Sequence, residues 1–385
     1  MNLLFASDSF KGSLSSARTA ELLTKAAKEV FGEDCQTASA IVADGGEGLI
    51  DALAAAGKAT KIETAVHDPL DRELVASYGL ANAKVAIVES ARACGLTLLA
   101  DSERDPSATT TRGVGELVKA AAELGVEEVA VGVGGTSTND GGTGLAQALG
   151  VKFYDASEAE LSGVGANLEK IARIDASGID EKIRRLKIAI MSDVTNPLTG
   201  EAGATRVYGR QKGADDATLD RLERGMENYR RVLTETFGVD PNDVPGSGSG
   251  GGLGAALAII FKGTVRSGID ATLDMIGFDA ELSRADLVVV GEGRLDGQSA
   301  FGKAACGIGR RCRRAGVPVV AICGSLGADY QRIYDCGIDS ITTTVDAPMK
   351  LSEALARAEE LYYDAAIRTF RMIRTGIELG ARGAR

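Results

Sequence analysis

Residues equipped for chemistry recur in this 385-residue chain where a short apolar run gives way to glycine. Asp8-Ser9-Phe10-Lys11-Gly12-Ser13 follows the run Asn2 to Ala6, and Asp44-Gly45-Gly46-Glu47-Gly48 follows Thr37 to Ala43. Thr136-Ser137-Thr138-Asn139-Asp140-Gly141-Gly142-Thr143-Gly144 comes just after Glu128 to Val133, and Ser192-Asp193-Val194-Thr195-Asn196-Pro197-Leu198 comes just after Ile188 to Ile190. Gly291-Glu292-Gly293-Arg294-Leu295-Asp296 follows Leu287 to Val290. In open α/β sheets, ligands gather beyond the carboxyl ends of strands, where helix N-termini offer unpaired N–H groups. A carboxylate placed there holds Mg²⁺ or accepts a hydroxyl proton, and a cation such as Lys11 or Arg294 steadies a transferring phosphoryl group. Read singly, each aspartate is equally a helix cap or turn residue, and each glycine a supplier of positive φ.

Three further segments invite a phosphate reading. Tyr208-Gly209-Arg210-Gln211-Lys212-Gly213-Ala214 sets two cations among glycines in a chain of formal charge −11. Gly246 to Gly254 contains GxGxxG and runs into the apolar stretch Ala255 to Phe261, but Asp240 to Pro245 before it is no strand, so a dinucleotide fingerprint is not expected. Its Gly248, Gly250, Gly251 and Gly252 are instead candidates for a backbone cradle around phosphate, a flexible linker being the alternative. Gly297 to Ala304 has P-loop spacing, yet the strand before it is expected to end near Val290, and Ala304 has no hydroxyl for a metal.

The elements needed to position these residues follow from periodicity. Apolar β-rich runs alternate with helix-period stretches, which predicts α/β layering around largely parallel sheets. Ser16 to Phe31 reads as a helix capped by Ser13 or Ser16, Asp216 to Phe237 as a long amphipathic helix, and Leu351 to about Glu378 as a closing helix. Lys61 to Val66, Glu73 to Tyr78 and Val85 to Val88 are strands with no helix between them, a change of rhythm that marks a second domain. The predicted organisation is a split parallel-sheet domain, residues 1–62 plus 285–385, with a second α/β domain inserted at 63–284.

Composition narrows the function. Apolar residues at 44% and charged residues at 25%, with 49 Gly and 7 Pro, suit an ordered globular chain. The negative charge argues against nucleic acid and anionic membranes as partners, and no apolar stretch approaches a bilayer span. The N-terminal residues lack the pattern of a secretory signal, so a cytoplasmic location is expected. Six scattered cysteines without a CxxC pair are expected to be free buried thiols, and the lone His67 to be a turn residue. Nothing in the sequence argues for or against a homo-oligomer.

Taken in order, DSFKGS, ADGGEG, GGTSTNDGGTG, SDVTNPLTG, YGRQKGA, GSGSGGGLGAAL and GEGRLDGQSAFGK resemble the motifs of the bacterial glycerate kinase family, from Met1 to about Leu379. The family commonly shows GAGAAGG where this chain has Gly246 to Gly252, and GGSATNDGG where it has Thr136 and Thr138; no charged group is lost. The resemblance implies a flavodoxin-like domain joined to an α/β domain of restriction-enzyme-like topology. It also implies ATP- and Mg²⁺-dependent phosphorylation of D-glycerate, usually to 2-phosphoglycerate, in a cleft between the two. Phosphoryl transfer chemistry then assigns Asp193 or Asp44 to the attacking hydroxyl, and Lys11 and Arg294 to phosphate or the glycerate carboxylate. Asp44, Asp193 and Asp296 are the metal candidates. Asp8, Ser9, Gly45, Gly46, Asn139, Asp140, Asn196, Lys212, Glu292 and Asp296 are substrate or nucleotide candidates, with the 246–254 run around the nucleotide phosphates. From the residues alone, a nucleotide-dependent oxidoreductase and a non-catalytic small-molecule binding protein are the competing readings.

Overall fold

The apolar runs form two main sheets and a hairpin in the computed structural model, which describes residues 1–7, 10, 12–40, 48–55, 57–297 and 304–383. The strands are β1 (Asn2–Ser7), β2 (Gln36–Ser39), β3 (Thr60–His67), β4 (Glu73–Asn82), β5 (Val85–Glu89), β6 (Glu128–Gly132) and β7 (Lys152–Tyr154). They continue as β8 (Arg173–Asp175), β9 (Lys187–Met191), β10 (Thr264–Arg266), β11 (Leu287–Leu295), β12 (Val319–Leu326) and β13 (Ser340–Thr343). No helix among the described residues is long and apolar enough to cross a membrane.

The first unit, Met1–Asp44 with Ile269–Arg385, holds a sheet of order β2-β1-β11-β12-β13 in which every pair is parallel. Counted within the unit this is the order 2-1-3-4-5 of flavodoxin-like folds. Both faces are covered, which is why the strands read as continuous apolar runs. Leu3 and Phe5 face helices Ser16–Phe31 and Ala358–Gly383 through Leu23, Ala27, Tyr362 and Phe370. Leu4 and Ala6, one residue out of phase, face helix Ala304–Ala315 through Ala305, Ile308 and Cys312.

The second unit, Gly45–Gly268, has a sheet of order β10-β9-β6-β5-β4-β3, parallel as far as β5 and antiparallel across β5-β4-β3. Its core gathers Val129, Val131, Ile188 and Ile190 from the sheet with Leu117, Val118 and Leu257 from the helical layers. Helix Asp216–Phe237 is capped by the Asp215 carboxylate, which accepts from Thr218 N at 2.8 Å, and ends at Gly238.

The chain divides earlier at both junctions than the rhythm of the sequence suggests. Helix Leu49–Ala55 buries Leu49, Ile50 and Leu53 in the second unit, Ile50 lying against Gly79 of β4. Ile269, Leu273, Phe278 and Leu282, from helices Gly268–Ile276 and Phe278–Leu282, enter the first unit's core. Several local expectations change too. Helix Ser16–Phe31 is capped by Ser15, the last extended residue, whose hydroxyl accepts from Arg18 N; Ser13 instead donates to Phe10 O. β11 continues past Val290 to Leu295 because β12 continues beside it, pairing Arg294 with Ser325 and Leu295 with Leu326. The closing helix is two helices, Leu351–Ala356 and Ala358–Gly383. Cys306 and Cys336 form a disulfide, whereas Cys35, Cys94, Cys312 and Cys323 are free and buried as expected.

Arg311 ties the first unit's helices together. Nearly buried on helix Ala304–Ala315, it donates to Asp274 Oδ1 at 2.8 Å, Asp279 Oδ2 at 3.2 Å and Asp270 O at 2.8 Å. Arg311→Met leaves three partly exposed aspartates without their shared cation, and we expect a cost of about 1 kcal/mol. The measurement is hydrogen exchange in helices Gly268–Ile276 and Ala304–Ala315, and unchanged protection there would contradict this role.

Candidate functional site

In the second unit, the 138–142 turn and the 246–254 glycine run pack backbone to backbone. Gly141 N donates to Gly251 O at 3.0 Å. A Cβ on Gly251 would lie 2.0 Å from Thr138 O, on Gly252 2.8 Å from Gly141 Cα, on Gly250 2.9 Å from Val133 O, and on Gly248 2.1 Å from Pro197 O. Gly250, Gly251 and Gly252 also take positive φ. The N–H groups of Gly248 and Gly252 are spent on Asn196 O and Gly248 O. Close packing therefore requires these glycines, whatever else their backbone does.

Asp140 is held in the same packing. Its side chain is fully buried; Oδ2 accepts from Thr111 N at 2.8 Å, Thr111 Oγ1 at 2.7 Å and Gly144 N at 3.1 Å, and Oδ1 from Gly142 N at 3.1 Å. Burial pushes its carboxyl pKa up while these donors oppose the shift. Such a carboxylate anchors a loop and is closed to metal or substrate. Asn139 is buried beside it and donates to Thr205 Oγ1. Lys212 is buried as well, donating to Thr138 O at 2.6 Å and Thr136 Oγ1 at 3.1 Å; burial lowers its pKa to about 8, against the opposing influence of Cys94 and Asp140. These three, read from sequence as ligand groups, are internal struts.

The end of β9 is more open. Asp193 is half-buried, and its Oδ1 accepts from Ser267 Oγ at 2.9 Å and Gly268 N at 3.0 Å. Asn196 spends Nδ2 on Ala202 O and Oδ1 on Tyr208 OH, so its amide braces the loop in place of a ligand. Sequence reasoning missed Glu89. Almost fully buried at the end of β5, it accepts at Oε1 from Leu49 N and Ile50 N, capping helix Leu49–Ala55. Arg92 holds its other oxygen and donates to Asp51 Oδ2 at 2.6 Å. The signal for it was a charge closing the apolar run Val85 to Val88.

In the first unit the structure brings Glu292, Arg294 and Asp296 to one strand end. Glu292 and Arg294 line a cavity of about 620 Å³. The Arg294 guanidinium is 65% exposed, its Nε 3.6 Å from Asp296 Oδ2. β11 runs to Leu295, so a strand ends closer to Gly297 than expected, and a helix starts at Ala304. Ala304 still lacks the terminal hydroxyl, and residues 298–303 lie outside the described residues. So do Asp8, Ser9, Lys11, Asp44, Gly45 and Gly46. Among the described residues, no three His, Cys, Asp or Glu side chains cluster as a metal cage.

Two α/β units with carboxylates and a cation at strand ends place the chain in the α/β class, whose ligands gather at such ends. The glycerate kinase family model matches residues 3–374. The glycerate 2-kinase of Escherichia coli (strain K12) is 38% identical over 385 residues, covering 100% of both chains. The glycerate kinase of Bacillus subtilis (strain 168) is 39% identical over 381 residues, covering 98% of each. A crystal structure from Salmonella typhimurium LT2, provisionally titled glycerate kinase 2, superposes with a TM-score of 0.86 at 36% identity, covering 98% of this chain and 99% of that one. The chain belongs to the glycerate kinase family and is an enzyme, a kinase. The oxidoreductase and binding-protein readings fall away, the GxGxxG run being internal packing.

Two predictions follow from the buried struts. Gly251→Ala combines positive φ with a backbone clash and is expected to cost about 3 kcal/mol, whereas Gly238→Ala, at a similar φ in open space, costs about 1 kcal/mol. Equal losses in urea denaturation would show that φ alone, not packing, fixes the glycine run. For Lys212, the folded pKa is depressed, so the unfolded chain binds the proton more tightly and stability rises with pH from about 8 toward the ordinary lysine range. Lys212→Met should abolish that rise, and a wild-type-minus-variant stability difference that is flat with pH would refute it.

Proposed function

We propose that the protein transfers the γ-phosphoryl group of ATP to the 2-hydroxyl of D-glycerate, giving 2-phosphoglycerate and ADP, with Mg²⁺ as the assisting cation, in the cytoplasm. The observation that carries this reading is the 38% identity to a glycerate 2-kinase over the full length of both chains. In the reaction the bond between the γ-phosphorus and the β–γ bridging oxygen breaks, a bond from that phosphorus to O2 forms, and the hydroxyl proton passes to a carboxylate. Asp193 suits that last role, since Ser267 Oγ and Gly268 N fix its orientation at a strand end; Asp44 is the alternative. Arg294, exposed at a strand end, is the cation assigned to phosphate or the substrate carboxylate, with Lys11 as the alternative.

The available donors fit Mg²⁺, a hard cation that takes one or two carboxylates and completes its shell with phosphate oxygens and water. Asp193 and Asp296 supply such oxygens in their respective units, with Asp44 as a third candidate. The buried thiols of Cys94 and Cys323, pushed up to about 12 by burial, offer no soft competing site. When bound, Mg²⁺ supplies charge neutralisation on the β- and γ-phosphates.

Turnover with ATP, Mg²⁺ and D-glycerate, with phosphorus NMR of the product, tests the proposal. The expected product is the 2-phosphate alone; EDTA stops turnover and added Mg²⁺ restores it. Arg294→Ala and Asp193→Asn are expected to lower kcat by about 10³ and about 10²–10⁴ respectively while the variants remain folded. Formation of the 3-phosphate would overturn the regiochemistry, and near-normal kcat in both variants would overturn the assigned roles.

A further inference from the structure

The cavity of about 620 Å³ in the first unit sits where the sheet changes direction. β1 and β11 are parallel neighbours, yet the helix after β1, Ser16–Phe31, packs on one face of the sheet and the helix after β11, Ala304–Ala315, on the other. Such a divergence marks a topological switch point, whose carboxyl ends are where open parallel sheets take ligands, and the cavity is lined there by Phe10 and Leu14 beyond β1 and by Glu292 and Arg294 of β11. Glu292, Arg294, Ser325 and Thr344 form its polar wall from the strand ends. Ser13 and apolar side chains supply most of the rest, notably Leu351 and Leu355 of helix Leu351–Ala356, which are 75% and 42% exposed. Four residues apart, they share a helix face, so the cavity carries an uncovered apolar patch.

Glycerate is too small and too polar to fill such a space or to gain from an apolar wall. A cavity of this size, mostly apolar with a few placed polar groups, suits a nucleoside. The polyanionic tail of a nucleotide would meet a chain of net charge −11 and so needs a local cation, which Arg294 supplies at the same strand end. We propose that this cavity seats the purine nucleoside of the phosphoryl donor, with the base against Leu351 and Leu355 and the phosphates toward Arg294. The inference rests on the kinase reading above and assigns the donor's nucleoside to this unit alone.

The test uses the full-length protein with ATP, adenosine and inorganic tripolyphosphate as probes. Leu351→Asn makes the patch polar, and Ala354→Trp fills the cavity from a partly exposed position. Each is expected to raise KM for ATP by about tenfold or more while KM for glycerate moves less than about twofold. Adenosine should raise the melting temperature of the wild type but of neither variant, whereas tripolyphosphate should still stabilise Leu351→Asn. Met372→Asn, an exposed apolar residue of helix Ala358–Gly383 outside the cavity, should leave both KM values unchanged. An unchanged KM for ATP in both variants, or adenosine protection equal to that of the wild type, overturns the assignment even if the wild type phosphorylates glycerate. If the wild type turns over no glycerate, yet adenosine protects it and the variants lose that protection, the cavity assignment stands and the acceptor assignment falls.

Discussion

The parallel pairing of β1 with β11 is the constraint on which the rest of the chain is built. It joins Leu3 to Leu287 and is sealed at its start by Asn2 N donating to Asp286 Oδ2 at 2.7 Å, across 284 residues of sequence. Closing so long a loop is entropically unfavourable, though the cost grows only slowly with length. Burial of Leu3, Leu4, Phe5, Val288 and Val289, each no more than 1% exposed, offsets it. Once β1 lies between β2 and β11, the whole of the second unit is an insertion, and the first unit acquires the switch point at which its cavity opens.

The strands and long helices were legible because burial imposes a period. Helix Ser16–Phe31 and β9 lie where the apolar pattern puts them, and β11 and β12 stand out by the apolar runs Leu287 to Val290 and Val319 to Ile322. Boundaries set by partners were not legible. β11 reaches Leu295 only because β12 is beside it, and no periodicity in Gly291 to Leu295 announces a strand. The helix Leu49–Ala55 carries no mark of the sheet it packs on, and its cap, Glu89, comes from a strand some forty residues later, at |i−j| of 40.

Glycine was ambiguous for a physical reason. A residue without Cβ permits the approach of a phosphate and the approach of another backbone equally well, and sequence does not distinguish the two. At Gly248 to Gly252 the visitor is the chain itself: Thr138 O, Gly141 Cα and Pro197 O occupy the places where side chains would be. Aspartate shares the ambiguity, since a carboxylate that accepts four donors to hold a loop and one that awaits a metal have the same spacing from their glycines. Burial separates them, with Asp140 closed and Asp193 half open.

The motifs that make the family recognisable therefore do two kinds of work. GGTSTNDGGTG, GSGSGGGLGAAL and the Lys212 segment constrain one another by direct contact, so a change in any one disturbs the packing of the others. Such mutual dependence is enough to keep their residues together without any of them touching a ligand. The candidate groups for chemistry lie beyond strand ends: Asp193 after β9, and Glu292, Arg294 and Asp296 at the end of β11. Beside Asp193, where Gly246 lies against Val194 O, the second unit's glycine-locked scaffold suits phosphoryl transfer, because positioning and fixed charge supply nearly all of that reaction's catalysis.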